Sequence, residues 1–290
     1  MCINGINSYD FYDLSIPLMN RILLSVFLFC LFPFIAPAQP GIVKETYKTE
    51  TNISYRSGDN LDEYMKERCK LDLYLPENTA NFTTVVWFHG GGLTEGEKFI
   101  PERLKNQHLA VVAVNYRLSP KVKSPAFIDD AAAAVAWVFK NISKYGGDPK
   151  KIIISGHSAG GYLTAMIGLD KHYLAAYGID ANSIFKLVPF SGQMITHFVI
   201  RKERGIPDTQ PVIDQLAPLF QVRADAPPLY LITGDRELEM LGRYEENAYM
   251  CRMMKLAGHK HTTLYELDGF DHGGMADPAF DLLLKIIRKE

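Results

Sequence analysis

Short runs of apolar and β-branched residues recur along the chain and alternate with longer helical patterns. The runs predict β-strands at Lys70–Leu75, Thr84–Phe88, Leu109–Asn115, Lys151–Ser155, Lys186–Phe190, Leu229–Thr233 and His261–Glu266. An alanine-rich apolar pattern over Ala126–Tyr145, ended by Gly146 and Gly147, predicts a helix. Strands that alternate with helices indicate an α/β domain with a mostly parallel sheet covered on both faces.

Two of the predicted strands, Thr84–Phe88 and Lys151–Ser155, are nearly continuous apolar runs rather than alternating ones. Strands of this kind lie in the centre of a parallel sheet, where both faces are covered. Each runs directly into glycines, and open α/β sheets bind ligands beyond the carboxyl ends of their central strands. We therefore expect the chemistry of the protein at this edge.

The segment Gly156-His157-Ser158-Ala159-Gly160-Gly161 follows the second of these strands and precedes an apolar helical stretch. A GxSxG sequence in a strand–turn–helix context holds its serine in a strained turn and exposes the hydroxyl at the head of the helix. We interpret Ser158 as a nucleophile, with His157 packed beneath the turn. The alternative is a glycine-rich turn with a helix-capping serine.

The first central strand is followed by His89-Gly90-Gly91-Gly92. Glycines allow a backbone to approach a ligand closely and to point its amides at it, as a tetrahedral oxyanion requires. Alone, the motif also fits a phosphate-binding or structural turn, but its pairing with the serine motif favours an oxyanion hole. His89 is expected to brace this loop.

A serine hydroxyl is a weak nucleophile, so it needs a histidine base, which in turn needs a carboxylate partner. Candidates for both follow strands downstream of Ser158. Asp235 comes after Leu229–Thr233, and His272 comes after His261–Glu266. The order along the chain is therefore serine, acid, histidine.

The choice of acid rests on position. Asp235 lies two residues beyond its strand, directly after Gly234, whereas Glu237 and Glu239 are expected in the first turn of a following helix. Asp271 adjoins His272 itself, a poor geometry for a ring-to-carboxylate bond. We therefore predict Asp235 as the acid.

The amino-acid composition excludes several classes of protein and of partner. The chain of 290 residues is 47% hydrophobic and 22% charged, which is ordinary for a globular protein and excludes disorder and coiled coil. Its formal net charge of −2 offers no basic excess for a nucleic-acid backbone. No cluster of His, Cys and Asp suggests a metal site, and serine chemistry needs no cofactor.

The amino-terminal residues have a different character. Asn20-Arg21, the apolar run Ile22–Ile35 and Ala36-Pro37-Ala38 have the layout of a secretory signal peptide over residues 19–38. We predict cleavage after Ala38 and one catalytic domain over residues 39–290. An uncleaved membrane anchor is the alternative, but the run is short for a span. Translation starting at Met1 or at Met19 remains open.

Together these motifs resemble the α/β-hydrolase fold, and within it esterases of the hormone-sensitive-lipase type with their bacterial acetyl-esterase relatives. The resemblance extends over nearly all of the predicted mature chain. Besides HGGG and GHSAGG it rests on LDLYLP at Leu71–Pro76, NYRLSP at Asn115–Pro120, YGGDP at Tyr145–Pro149 and the late Gly-Phe-Asp-His.

The resemblance implies Ser158 as nucleophile, Asp235 as acid and His272 as base. The oxyanion hole would comprise the backbone amides of Gly91, Gly92 and Ala159. The sequence departs from the family in two places. Little chain precedes His89 for an amino-terminal helical cap, so the cap is expected to be reduced, and the acid segment reads GDREL where Asp-Pro-Leu is usual.

These observations predict a secreted serine carboxylesterase that acts on small, short-acyl esters, with deacetylation of carbohydrate as one possibility. The alternatives are a peptidase or amidase of the same fold, and an inactive hydrolase-fold binding protein. The substrate-facing segment Gly192–Ala226 has no recognisable motif. Its basic residues Arg201, Lys202 and Arg204 fit a solvated run better than a site for an anionic substrate. Oligomeric state and the pairing of Cys69 with Cys251 are left open.

We expect an exported protein whose mature chain begins at Gln39, because the small residues Ala36 and Ala38 stand where a signal peptidase reads them. Amino-terminal sequencing of the protein from its native host tests this. A cytoplasmic protein that retains Met1 would contradict it.

Overall fold

A computed structural model describes residues 45–59, 61–240 and 242–289. The predicted signal peptide over residues 19–38 and its cleavage site lie outside the described residues. Within the described part of the chain, every helix is too short or too polar to cross a bilayer. Cys69 and Cys251 are both buried, and their thiols are free.

The described residues contain eight strands in one sheet. They are β1 Tyr47–Ser54, β2 Lys70–Pro76, β3 Phe82–Phe88, β4 Leu109–Val114, β5 Gly147–His157, β6 Lys186–Phe190, β7 Leu229–Gly234 and β8 Thr262–Leu267. Their order in the sheet is β1-β2-β4-β3-β5-β6-β7-β8. Strand β2 pairs antiparallel with both β1 and β4, and all other neighbours are parallel.

Seven α-helices connect or flank the strands of the described chain. They are α1 Glu63–Arg68, α2 Ala126–Asn141, α3 Ala159–Leu169, α4 Lys171–Ala175, α5 Phe198–Glu203, α6 Arg243–Leu256 and α7 Ala276–Arg288. The predicted helix over 126–145 is α2 continued by a short 3-10 turn, which ends at Gly146 in a left-handed conformation (φ 93°).

Hydrophobic side chains cover both faces of the sheet. Val86 and Phe88 of β3 belong to the larger cluster, together with α2 and α3. Val85 and Trp87 alternate to the other face and pack with α7, whose Phe280 ring lies 4.8 Å from that of Trp87. Because β3 is covered on both sides, its run of apolar residues lacks alternation.

Among the described strands, β1 is the one that the sequence pattern missed. Its sequence YKTETNIS is mostly polar, and its side chains are exposed or half-buried at the sheet edge. Between residue 45 and His89, the described chain contains only β1, α1 and β2 before β3. This stretch of the described chain thus contains one helix of six residues.

A buried carboxylate fixes the segment that follows β4. The Asp130 side chain on α2 is fully buried, and it accepts hydrogen bonds from Arg117 Nε (2.7 Å), Arg117 Nη2 (2.9 Å) and the Arg117 amide (3.1 Å). Arg56 Nε also donates to it at 2.9 Å. This cluster ties the NYRLSP segment to α2.

We expect Asp130→Asn to lower the free energy of unfolding by about 3 kcal/mol or more, because removing one partner leaves buried arginine charge uncompensated. Its neighbour Asp129 is a matched control. The Asp129 carboxyl forms no hydrogen bond or ion pair within the described residues, so Asp129→Asn should change stability by less than about 1 kcal/mol. Urea unfolding compares the variants, and equal losses would contradict this role of Asp130.

Candidate active site

The candidate site is built at the carboxyl ends of neighbouring parallel strands. The chain that leaves β3 carries the glycine loop, and the chain that leaves β5 carries Ser158. Ser191 follows β6, Glu239 lies beyond β7, and His272 lies beyond β8. Side chains from distant parts of the sequence meet here because parallel strands end on the same edge.

Ser158 occupies the strained turn that the motif predicts. Its backbone has φ 55° and ψ −112°, at the junction of β5 and α3. A Cβ at Gly160 would lie 2.1 Å from the Phe88 carbonyl oxygen, and one at Gly156 would lie 2.6 Å from Gly160 C. Only glycines fit the close packing of this turn against the end of β3.

The structure brings Ser158 and His272 into hydrogen-bond contact. His272 Nε2 lies 2.9 Å from Ser158 Oγ. The Ser158 amide donates to the Phe190 carbonyl at 2.9 Å, which fixes the turn against β6. The predicted nucleophile and base are therefore positioned for proton transfer from Oγ to Nε2.

The carboxylate beside His272 belongs to Glu239, and the expectation of Asp235 is wrong. Glu239 Oε2 lies 2.8 Å from His272 Nδ1, and the Glu239 side chain is 1% exposed. Because a carboxylate can only accept, Nδ1 carries the proton and Nε2 is left free to act as a base. The described residues thus contain a serine, histidine and glutamate in one hydrogen-bonded chain.

Asp235 has a structural role in the same loop. Its Oδ1 accepts from the Glu237 amide at 2.9 Å, and its Oδ2 accepts from the Gly269 amide at 2.8 Å. Its carbonyl accepts from the Glu239 amide at 2.8 Å, so Asp235 begins a helical turn. Glu239 lies one turn later and points back towards His272. The preference of aspartate for the start of a turn was the overlooked signal.

The Glu239 carboxylate is held in its charged form. Burial raises its pKa, but hydrogen bonds outweigh burial and lower that pKa to about 2. The donors are His272 Nδ1, the Ser191 hydroxyl (2.5 Å), the Gly234 amide (2.9 Å) and the Met240 amide (3.1 Å). Glu239 therefore presents a fixed negative charge to the imidazole.

The glycine loop lies beside the turn of Ser158. A Cβ at Gly90 would lie 3.6 Å from Ser158 Cβ. Gly91 and Gly92 have positive φ values of 102° and 59°, and within the described chain neither amide donates a hydrogen bond. Ala159 is the first residue of α3, where amides have no partner within the helix. These amides have the character expected of an oxyanion hole, and their role remains a proposal.

His89 and Tyr116 brace the glycine loop. The two rings stack with centroids 4.4 Å apart, and the Tyr116 hydroxyl donates to the His89 carbonyl at 2.9 Å. His89 Nδ1 donates to the Gly90 carbonyl at 2.6 Å. Burial lowers the pKa of His89 to about 4. A neutral, buried His89 supports the loop, as expected.

His157 holds the backbone of His272 in place. Its Nε2 donates to the His272 carbonyl at 2.8 Å, and the two rings lie 4.8 Å apart. Burial, with a smaller contribution from the nearby His272, lowers the pKa of His157 to about 4. Sequence reasoning placed this residue beneath the turn but did not find its contact with the histidine loop.

The basic residues of the segment after β6 are mostly structural. Arg201 is buried, and its guanidinium donates to the Asp208 carbonyl at 2.7 Å. Arg204 forms an ion pair with Asp214 at 2.5 Å. The expectation of a solvated basic run is therefore wrong for Arg201, whereas Lys202 and Arg204 are exposed as expected. No group of three or more potential metal-ligating side chains occurs among the described residues.

We expect Glu239→Gln to slow attack of Ser158 on an activated ester by up to ~10⁴-fold, because the neutral amide can no longer fix the imidazole tautomer or stabilise its cation. Asp235→Asn, the matched control in the same loop, should cost less than about tenfold. Stopped-flow release of p-nitrophenol measures both. The opposite ranking would restore Asp235 as the acid.

Comparisons with known proteins show similarity to esterases. The BD-FAE family model matches residues 71–186. The probable carboxylic ester hydrolase LipM of Mycobacterium tuberculosis is 32% identical over 55% of this chain and 42% of its own length. Esterase LipC of the same organism is 30% identical over 68% of this chain and 51% of its own length. The chain spans about half the length of these curated relatives or less.

Solved structures show the fold. A truncated carbohydrate esterase from gut microbiota superposes with a TM-score of 0.69 at 22% identity, covering 86% of this chain and 97% of that one. Thermogutta terrifontis esterase 2, phosphonylated by cyclosarin, gives a TM-score of 0.65 at 25% identity, covering 86% of this chain and 93% of that one. The chain has the α/β-hydrolase fold, and it is similar in sequence to carboxylic ester hydrolases.

Proposed function

We propose that this protein is a serine carboxylesterase that cleaves small esters through an acyl-enzyme intermediate. The observation that carries the proposal is the hydrogen-bonded chain from Ser158 Oγ through His272 to Glu239, with distances of 2.9 Å and 2.8 Å. A serine in a strained turn, a histidine with a free Nε2 and a buried carboxylate together make an activated nucleophile.

In the first half of the reaction, His272 Nε2 takes the proton of Ser158 as Oγ bonds to the ester carbonyl carbon. The carbonyl oxygen becomes an oxyanion, for which the amides of Gly91, Gly92 and Ala159 are the proposed donors. The tetrahedral intermediate collapses when the carbon–oxygen bond to the alcohol breaks. The departing alkoxide takes the proton back from Nε2.

The second half repeats these steps with water. His272 Nε2 removes a proton from a water molecule, whose oxygen attacks the acyl carbon on Ser158. Collapse of the second tetrahedral intermediate expels Ser158 Oγ, which regains its proton from Nε2, and releases the carboxylic acid. Glu239 remains ionised throughout and stabilises the imidazolium that forms in each half-reaction.

We further propose a preference for short acyl groups. The Phe198 ring lies against the glycine loop, since a Cβ at Gly92 would be 3.1 Å from Phe198 Cζ. The described chain before β3 supplies no helical cap that could line a long apolar tunnel. Thermogutta terrifontis esterase 2, a fold neighbour with a TM-score of 0.61, has been solved with propionate bound. A long acyl chain would therefore bury little of its apolar surface on binding and gain little free energy from leaving water.

Acetylated carbohydrate is one candidate substrate class. The fold neighbours include a carbohydrate esterase and a bifunctional GH43-CE of Bacteroides eggerthii. Export of the protein, proposed from its amino-terminal sequence, would bring it into contact with extracellular polysaccharide. A peptidase or amidase would use the same side chains on a different leaving group.

Hydrolysis of p-nitrophenyl esters from acetate to palmitate, together with acetylated xylan and aminoacyl amides, tests the proposal. We expect the fastest turnover on acetate or propionate, and a loss of several powers of ten in Ser158→Ala because the attacking oxygen is gone. Ser155→Ala is the control, since its hydroxyl is buried on β5 and donates to the Val188 carbonyl. Undiminished turnover in Ser158→Ala would contradict the mechanism, and rates that rise towards palmitate would contradict the acyl preference.

A further inference from the structure

We propose that Ser191 is a positioning residue that orients Glu239 and fixes the tautomer of His272. This inference rests on the proposed function, because it assigns a role around the same histidine. Ser191 follows β6 directly and is fully buried. Neither motif of the sequence contains it, and no sequence pattern singled it out.

The hydroxyl of Ser191 contacts both partners of the histidine–glutamate pair. Its Oγ lies 2.5 Å from Glu239 Oε1 and 3.0 Å from His272 Nδ1. A serine hydroxyl has one proton, and an ionised carboxylate can only accept. The Ser191 proton therefore goes to Glu239, and the oxygen lone pairs of Ser191 face Nδ1.

This arrangement gives the Nδ1 proton of His272 two acceptors, Glu239 Oε2 at 2.8 Å and Ser191 Oγ at 3.0 Å. Both acceptors favour the tautomer that leaves Nε2 free to take the proton of Ser158. Both also strengthen as the imidazole becomes positively charged, since hydrogen bonds to charged groups are stronger than neutral ones. Ser191 thereby acts on the reaction through His272 without touching the substrate.

The backbone of Ser191 is held in a conformation that aims the side chain at this pair. Its φ is 45°, an uncommon value for a residue other than glycine. Its amide donates to the Ile232 carbonyl of β7 at 2.6 Å, and its carbonyl accepts from the buried guanidinium of Arg243 on α6. Strain of this kind persists where the surrounding structure over-determines it, and it clusters at functional sites.

Two substitutions separate the hydroxyl from the backbone. Ser191→Ala removes the hydroxyl and keeps the strain, whereas Ser191→Gly removes the hydroxyl and relieves the strain. If the hydroxyl is what matters, both variants should lose about tenfold to a hundredfold in kcat on p-nitrophenyl acetate, with KM little changed. Ser155→Ala is the matched control, because it deletes an equally buried serine hydroxyl one strand away.

The second readout does not need turnover. The Nδ1 proton of His272 should give a far-downfield proton resonance in the wild-type protein, identified by its loss in His272→Ala. We expect this resonance to shift or broaden in Ser191→Ala and Ser191→Gly and to stay in place in Ser155→Ala.

The inference is overturned if both Ser191 variants match Ser155→Ala in kcat and leave the resonance unchanged. It is also overturned if glycine restores the activity that alanine loses, because the backbone would then be the important feature. An inactive wild type would refute the esterase proposal alone, since the resonance would still report whether Ser191 orders the histidine–glutamate pair.

Discussion

The backbone of Ser158, held at φ 55° and ψ −112°, is the constraint on which the rest of the site depends. A non-glycine residue in this region carries strain of about 1–3 kcal/mol, so the surrounding structure must hold it there. The amide of Ser158 is fixed by Phe190, and Gly156 and Gly160 pack against the end of β3. In return, the hydroxyl projects from the sheet edge towards the loops of the neighbouring strands.

Each neighbouring strand then contributes one part of the arrangement around this hydroxyl. Strand β3 supplies the glycine loop, which His89 and Tyr116 brace from below. Strands β7 and β8 supply Glu239 and His272, whose geometry is fixed by hydrogen bonds from several elements rather than by either loop alone. The strain at one residue is thus supported by a sheet whose central strands are buried on both faces.

The sequence predicted the parts of this architecture that depend on local chemistry. Close backbone packing requires glycine, so the glycine-rich motifs around Ser158 and after His89 could be identified from the sequence alone. Buried central strands show as unbroken apolar runs, and His272 follows its strand in a glycine-rich turn. Strand β1 was missed because its exposed edge position leaves a polar sequence.

The identity of the acid could not be predicted from the sequence because it depends on the path of the loop after β7. Asp235 and Glu239 both follow β7, and their order along the chain does not say which one turns back to the imidazole. In the structure the Asp235 carboxylate accepts hydrogen bonds from two backbone amides. The chain turns at this point, and the turn directs Glu239 towards His272. Contacts between distant segments, such as that of Ser191 with Glu239, leave no local signature.

The central claim is that Ser158 is the nucleophile that His272 activates. Labelling the intact protein with a fluorophosphonate, followed by proteolysis and mass spectrometry of the peptides, tests it most directly. We expect a single adduct on the peptide that contains Ser158, formed much more slowly in His272→Ala. No adduct, or an adduct on another serine, would contradict it.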